Sequence, residues 1–228
     1  MSNNIYVGWD SREDIAYQVC EHSIRRRTKR DSINVIPLKQ HELREQKIYW
    51  RDRDKLSSTE FTITRFLVPH LNKFEGWAVF CDCDMVWRID PHELFNKVDD
   101  SKAVMVVQHE YEPTKGTKMD GQTQFPYPRK NWSSMILWNC GHPKNKELTL
   151  ETVNTAAASF LHRFEWLDND DIGNLPHAYN WLVDWYNVEQ DGQPKIIHYT
   201  EGGPWFDEYR NCEFDHIWKQ ELINLYTA

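Results

Sequence analysis

Two carboxylates stand one residue apart at Asp82-Cys83-Asp84, directly after the apolar run Trp77-Ala78-Val79-Phe80-Cys81. Such a run reads as a buried strand that stops abruptly. In an open α/β sheet, ligands gather beyond the carboxyl ends of the strands. Two carboxylates there can share one hard divalent cation, Mn²⁺ or Mg²⁺, one ligating directly and the other directly or through water. A bare D-x-D is common by chance and often only a solvated turn; its place after the strand is what gives it weight. Two further polar groups fall at strand ends: Gly8-Trp9-Asp10 after Ile5-Tyr6-Val7, and His198 near the end of Lys195–Tyr199, followed by Gly202-Gly203-Pro204. A solitary histidine is more often structural. The glycine pair beside it, however, lets backbone N–H groups approach an anion closely. An imidazole, two carboxylates and such a turn make a plausible metal–diphosphate site.

These groups need a frame. Ser11-x-x-Asp14 resembles a capping box ahead of a helix carrying Ile15, Ala16, Val19, Cys20 and Ile24. Asn34–Leu38 reads as a strand ending at Pro37. A helix is expected from Ser58, carrying Phe61, Arg65, Leu67 and Leu71 and ended or kinked by Pro69. Asp90–Phe95 reads as a short helix, Ala103–Val107 and Ser134–Trp138 as strands. Leu148, Val153, Ala157, Phe160, Leu161 and Phe164 mark one long amphipathic helix. Residues 108–132 carry no periodicity, and a polar, aromatic loop there (Tyr111, Gln122, Tyr127) is expected to be mobile and to border the acceptor side. Strands alternating with helices predict an α/β fold with a mixed, mostly parallel sheet flanked by helices, in one domain, 1–228.

Composition narrows the function. The chain has 228 residues and a net charge of −8, which disfavours nucleic acid as a partner. Arg25–Arg30 reads as a cationic helix C-terminus instead. Five cysteines without a C-x-x-C pair point away from zinc and disulfides, toward a reducing, cytoplasmic setting. No apolar run is long enough for a transmembrane helix, and the N-terminus lacks a secretory signal. The sequon Asn131-Trp132-Ser133 is then expected to carry no glycan. Eleven tryptophans exceed the usual share; aromatic faces stack on sugars and bases as well as filling cores. No Gly-rich phosphate-loop motif occurs, so P-loop and dinucleotide readings fail.

With these residues in view, the chain resembles the GT-A-fold, metal-dependent nucleotide-sugar glycosyltransferases, glycosyltransferase family 8 above all. Ile5–Tyr17 (IYVGWDSREDIAY) is similar to the family's first strand and uridine-binding turn. Ser58–Phe95 resembles its arginine-bearing helix, strand and D-x-D. Trp132–Asn139 (WSSMILWN) stands where the family has its sugar-facing strand, and His198–Trp205 (HYTEGGPW) resembles the C-terminal H-x-x-G-x-x-K-P-W. The resemblance implies a Rossmann-like single domain that moves a sugar, glucose first, from a UDP-sugar to an unidentified acceptor. It implies Mn²⁺ (or Mg²⁺) held by Asp82, Asp84 and His198, and retention of anomeric configuration. Gly8, Trp9, Asp10 and Arg12 would line the uridine pocket, with Asp10 accepting from uracil N3–H. Asp82, Cys83, Arg65, Gly202 and Gly203 would surround the diphosphate, and Ser133 and Ser134 would face the sugar. Asp84 and Arg65 would act in catalysis. If the reaction inverted instead, the acidic stretch around Asp168 and Asp171 would supply the base. Ser133-Ser134 replaces the family's asparagine–alanine pair, and the lysine before its proline–tryptophan is absent. The alternatives are a non-catalytic sugar-binding module and a sugar nucleotidyltransferase.

Overall fold

The computed structural model describes residues 3–28, 32–52, 58–110, 129 and 131–227. A six-stranded sheet runs in the order β2 (Ile33–Leu38), β1 (Asn3–Gly8), β3 (Trp77–Cys81), β6 (Met135–Asn139), β5 (Val104–Val106), β7 (Ile172–Asn174). Five strands point one way, and β6 runs antiparallel to both β3 and β5. This is the mixed, mostly parallel α/β architecture that the strand–helix alternation predicts. The central strands are apolar throughout because both their faces are covered: Ala78, Val79, Phe80 and Cys81 in β3 and Met135 to Trp138 in β6 are all buried.

A second sheet of three strands, β4 (Met85–Trp87), β9 (Ile196–His198) and β8 (Trp181–Leu182), stands at the carboxyl end of β3. β4 pairs antiparallel with β9, placing Met85 opposite His198, and β8 pairs parallel with β9, placing Leu182 opposite His198. Val86, Ile197, Tyr199, Val183 and Trp218 form its own core with Val19. The helices are α1 (Asp14–Arg25), α2 (Gln40–Glu45), α3 (Val68–Leu71), α4 (His92–Phe95), α5 (Leu150–Thr155), α6 (Ala158–His162), α7 (Val188–Asp191) and α8 (Asp215–Thr227). α1 buries Ala16, Val19, Cys20, Ser23 and Ile24 on one stripe and packs against β4 and α8.

Several local expectations give way. Ser11 does not cap α1: its hydroxyl donates to Glu60, and Glu13 occupies the cap position. Pro37 lies inside β2 and pairs with Val7, tolerated because β2 is an edge strand. The segment from Ser58 is a series of turns leading to a 3₁₀ turn, Thr64–Leu67, and Pro69 sits in the first turn of α3 instead of ending a helix. The long helix around Leu148–Phe164 is two helices. Ala156 and Ala157 are extended, with ψ of 153° and 141°. Arg51 explains the break, because its guanidinium donates to the carbonyls of Val153 and Ala156 and so terminates α5. Most of the aperiodic stretch, with Tyr111, Gln122 and Tyr127, lies outside the described residues.

Candidate active site

Register places the chemistry. Past β3, the Asp82 amide donates to the Ser134 carbonyl at 2.9 Å, and the Asp84 carbonyl accepts from the Tyr199 amide at 3.0 Å. The β4–β9 ladder then clips Asp84 beside His198, with Oδ1 3.3 Å from Nε2. One ligand atom from each of Asp82, Asp84 and His198 lies within 4.8 Å of the others. The turn at Asp82–Asp84 between β3 and β4 brings the side chains of Asp82 and Asp84 to the cavity wall and leaves Cys83 off it. Cys83 is buried in the core, where burial first, then the Glu13, Asp84 and Asp82 carboxylates, push its thiol up. It is no part of the cavity wall.

This donor set fits a hard divalent cation. Asp84 Oδ1 is buried and accepts no hydrogen bond among the described residues, and it faces His198 Nε2 at 3.3 Å. Two carboxylates with one imidazole suit Mn²⁺ or Mg²⁺ better than a soft metal. They open on a cavity of about 410 Å³ whose walls include Arg12, Glu13, Phe61, Arg65, Ser133, Ser134, His162, Glu201, Phe206, Glu208 and Tyr209.

Arg65 is buried at the cavity wall. Its Nη1 lies 2.9 Å from Asp82 Oδ1 and donates to the Ser133 carbonyl at 2.7 Å, its Nε donates to the Thr62 carbonyl, and its guanidinium lies over the rings of Phe80 and Phe61. It therefore ties the Asp82–Asp84 turn to the start of β6.

Asp10 departs from its expected role. It is 0% exposed. Oδ1 accepts from the Arg12 amide and Arg12 Nε, and Oδ2 accepts from Arg12 Nη2 and the Glu60 amide. All four lone-pair positions of the carboxylate are taken, leaving none for uracil. Burial alone would raise this carboxyl, but the Arg12 and Glu60 hydrogen bonds hold it below the usual carboxylate range. Arg12, with its side chain 53% exposed, is the group delivered to the cavity. Gly8 is explained by packing: a Cβ there would fall 2.5 Å from the Phe61 ring. Trp9 donates to Asp14 and packs against Lys39 and His41, away from the cavity walls.

The serines are committed as well. Ser133 Oγ bonds His162 Nδ1 at 2.8 Å; burial first, then Arg65 and Arg51, push His162 down to about 3, so the ring is neutral. Ser134 Oγ donates to the Asn131 carbonyl at 2.7 Å and accepts from Asn180 Nδ2 at 2.9 Å. In the C-terminal turn the Gly202 amide donates to the Tyr199 carbonyl, and a Cβ on Gly203 would fall 1.9 Å from the Trp205 ring. Gly203 thus makes room for tryptophan, and the Gly202 N–H is unavailable to a phosphate.

Asp168 and Asp171 are not brought to the site. Both pair with Lys144, at 2.7 and 2.6 Å. Asp171 immediately precedes β7, which runs parallel to β5 and hence to β3. It therefore lies at the amino end of the strands, opposite the metal cluster. Three residues were not singled out from sequence. Glu13, 7% exposed, is pushed up to about 8 by burial first, then by Asp84 and Asp10; its place five residues past β1 was the available signal. His162 and Asn180 had none.

A curated relative, Protein CDI of Arabidopsis thaliana, is 54% identical over 224 residues, covering 96% of this chain and 85% of its own. The chain belongs to the Protein CDI family. That name states no reaction, so for this member of the CDI family the chemistry has to come from the site. No protein-family model matches the sequence. Among solved structures, the fold is shared with the glycosyltransferase GlyE of Streptococcus pneumoniae TIGR4 (TM-score 0.60, 14% identity, 98% of this chain) and with the bifunctional glycosyltransferase WbbM (TM-score 0.62, 14% identity, 99% of this chain). This CDI-family chain spans only 60% and 51% of those two. It matches the galactosyltransferase LgtC end to end, at TM-score 0.57 and 10% identity, covering 99% of this chain and 97% of LgtC. The fold is therefore that of GT-A-type glycosyltransferases.

Proposed function

We propose that this protein transfers a sugar, glucose first, from a UDP-sugar to an acceptor, with Mn²⁺ bound by Asp82, Asp84 and His198. The observation that carries this is the cluster itself: one ligand atom from each of three residues within 4.8 Å of the others, with Asp84 Oδ1 buried and accepting no hydrogen bond among the described residues, at the cavity at the carboxyl end of the sheet. GlyE, WbbM and LgtC share the fold. The likeness to glycosyltransferase family 8 in the four sequence stretches supports the same reading, and we take residues 1–228 as a single domain of that kind.

When bound, the cation would supply charge stabilisation to the departing diphosphate. The chain supplies the rest. Arg65 fixes Asp82 and the Ser133 carbonyl. Arg12, held by Asp10 and the Ser58 carbonyl, presents a guanidinium at the cavity wall for phosphate or uracil oxygens. Phe61, Phe206 and Tyr209 offer faces for base or sugar stacking. Asp168 and Asp171, the bases an inverting route was expected to use, lie at the other end of the sheet, and this supports retention. No helix among the described residues is long and apolar enough to cross a membrane, and the five cysteines are free thiols, which suits a cytoplasmic setting.

The test is a donor panel with Mn²⁺, read as sugar release from the nucleotide. UDP-sugars should be turned over and Asp84→Ala should lose at least roughly 100-fold while melting near the wild-type temperature, since it removes a ligand and no packing. Full activity in Asp84→Ala would remove the metal assignment. No hydrolysis of any nucleotide sugar would favour the binding module.

A further inference from the structure

The cavity wall contains a buried polar chain that no reading of the sequence reached. Asn180 directly precedes β8 and is 0% exposed. Its Oδ1 lies 2.9 Å from His198 Nδ1, and its Nδ2 donates to Ser134 Oγ at 2.9 Å. Ser134 Oγ in turn donates to the Asn131 carbonyl at 2.7 Å.

The direction of this chain is forced. A backbone carbonyl only accepts, so the one hydroxyl proton of Ser134 goes to Asn131. Ser134 can then only accept from Asn180, which turns the amide NH₂ toward it. The amide oxygen is left facing His198, and an oxygen acceptor requires a proton on Nδ1. That proton leaves the Nε2 lone pair as the basic edge, the edge that faces Asp84 at 3.3 Å. A free imidazole has no such constraint, and a metal needs the lone pair on the nitrogen that faces it.

We propose that Asn180 is a positioning residue that fixes His198 in its Nδ1–H tautomer, with Ser134 and the Asn131 carbonyl fixing Asn180. The proposal rests on the reading of His198 as a metal ligand for its consequence, but its first readout needs no metal. Ser134 then acts through the histidine, not through its own hydroxyl on the sugar. The same chain makes the start of β6 and the metal cluster one unit.

Two measurements test this. Long-range ¹H–¹⁵N correlation spectra of metal-free protein at alkaline pH, with His198→Gln for assignment, should show the Nδ1–H tautomer in wild type. Ser134→Ala, which frees the amide to flip at small cost in volume, should shift it toward Nε2–H, and Asn180→Leu should do so fully. Asn180→Asp, which keeps an oxygen toward Nδ1, should retain it. Second, calorimetric titration with Mn²⁺ should weaken roughly 10–100-fold in Asn180→Leu and less in Ser134→Ala, with Asn180→Asp close to wild type. An Nε2–H tautomer in wild type, or a tautomer unmoved in Ser134→Ala and Asn180→Leu, would overturn the role of Asn180. Wild-type binding of Mn²⁺ with equal affinity in Asn180→Leu would overturn its consequence for the metal. Wild type that binds no Mn²⁺ while showing the Nδ1–H tautomer would overturn the metal reading and leave the tautomer assignment standing.

Discussion

Glu13 shows how one side chain reports on the whole cluster. Its carboxyl, buried beside Asp84 and Asp10, ionises near 8 in the fold against about 4.5 when unperturbed. Between those values the folded chain holds a proton that the unfolded chain has released. Stability from this group is therefore complete below about pH 4.5 and is lost as pH rises through about 8. Glu13→Gln cannot ionise and should escape the loss. In metal-free protein the variant should match wild type near pH 4.5 and exceed it on the order of 2 kcal/mol near pH 8.5, by urea melts at both pH values. Parallel stability–pH profiles would contradict this. At the same scale, Asp82, Asp84 and His198 were legible because they stand at or just past the ends of apolar runs that read as buried strands. Asp10 was misread because its partner, Arg12, lies two residues away: short local hydrogen bonds consume a carboxylate without leaving any periodic trace. Asp168 and Asp171 were misread because acidic clustering does not say which end of a sheet it occupies.

Among the elements, β1, β3, β5, β6 and β9 were legible as apolar runs, and β4, β7 and β8 were not. Those three are two or three residues long, too short for alternation to register. Yet pairing of β4 with β9 sets Asp84 against His198. α8 escaped for another reason: only Trp218 and Glu221 are buried in it, so it shows little apolar stripe. Much of what holds it is ionic. Glu221, 2% exposed, accepts from Arg27 at 3.0 Å, pairs with His22 at 2.9 Å and lies 3.5 Å from Arg26, all on or just beyond α1. The basic run thus neutralises a buried carboxylate of the last helix as well as closing the first. Removing one partner of such a cluster strands the others. Glu221→Ala should lower stability by about 2–4 kcal/mol in urea, with little change in the slope of the transition. A loss under about 0.5 kcal/mol would mean that Trp218 and its neighbours dock α8 unaided.

At the scale of the whole molecule, the cavity is acid-rich. Among the described residues on its walls, Asp82, Asp84, Glu201 and Glu208 face Arg12 and Arg65 as the only arginines or lysines, and Glu13 adds a fifth carboxyl that keeps its proton up to about pH 8. The expected family lysine is absent, and the Gly202 amide is already bonded within the turn. On the proposed function, a nucleoside diphosphate entering without a cation would meet net repulsion, and a divalent ion at Asp82, Asp84 and His198 is expected to supply most of the charge compensation. The decisive measurement is calorimetric titration of the wild-type chain with UDP, in Mn²⁺ and then in EDTA at the same ionic strength. Clear binding is expected with Mn²⁺ and binding at least roughly 100-fold weaker in EDTA, with the Mn²⁺ effect lost in Asp84→Ala. UDP affinity that is the same with and without Mn²⁺ would contradict it.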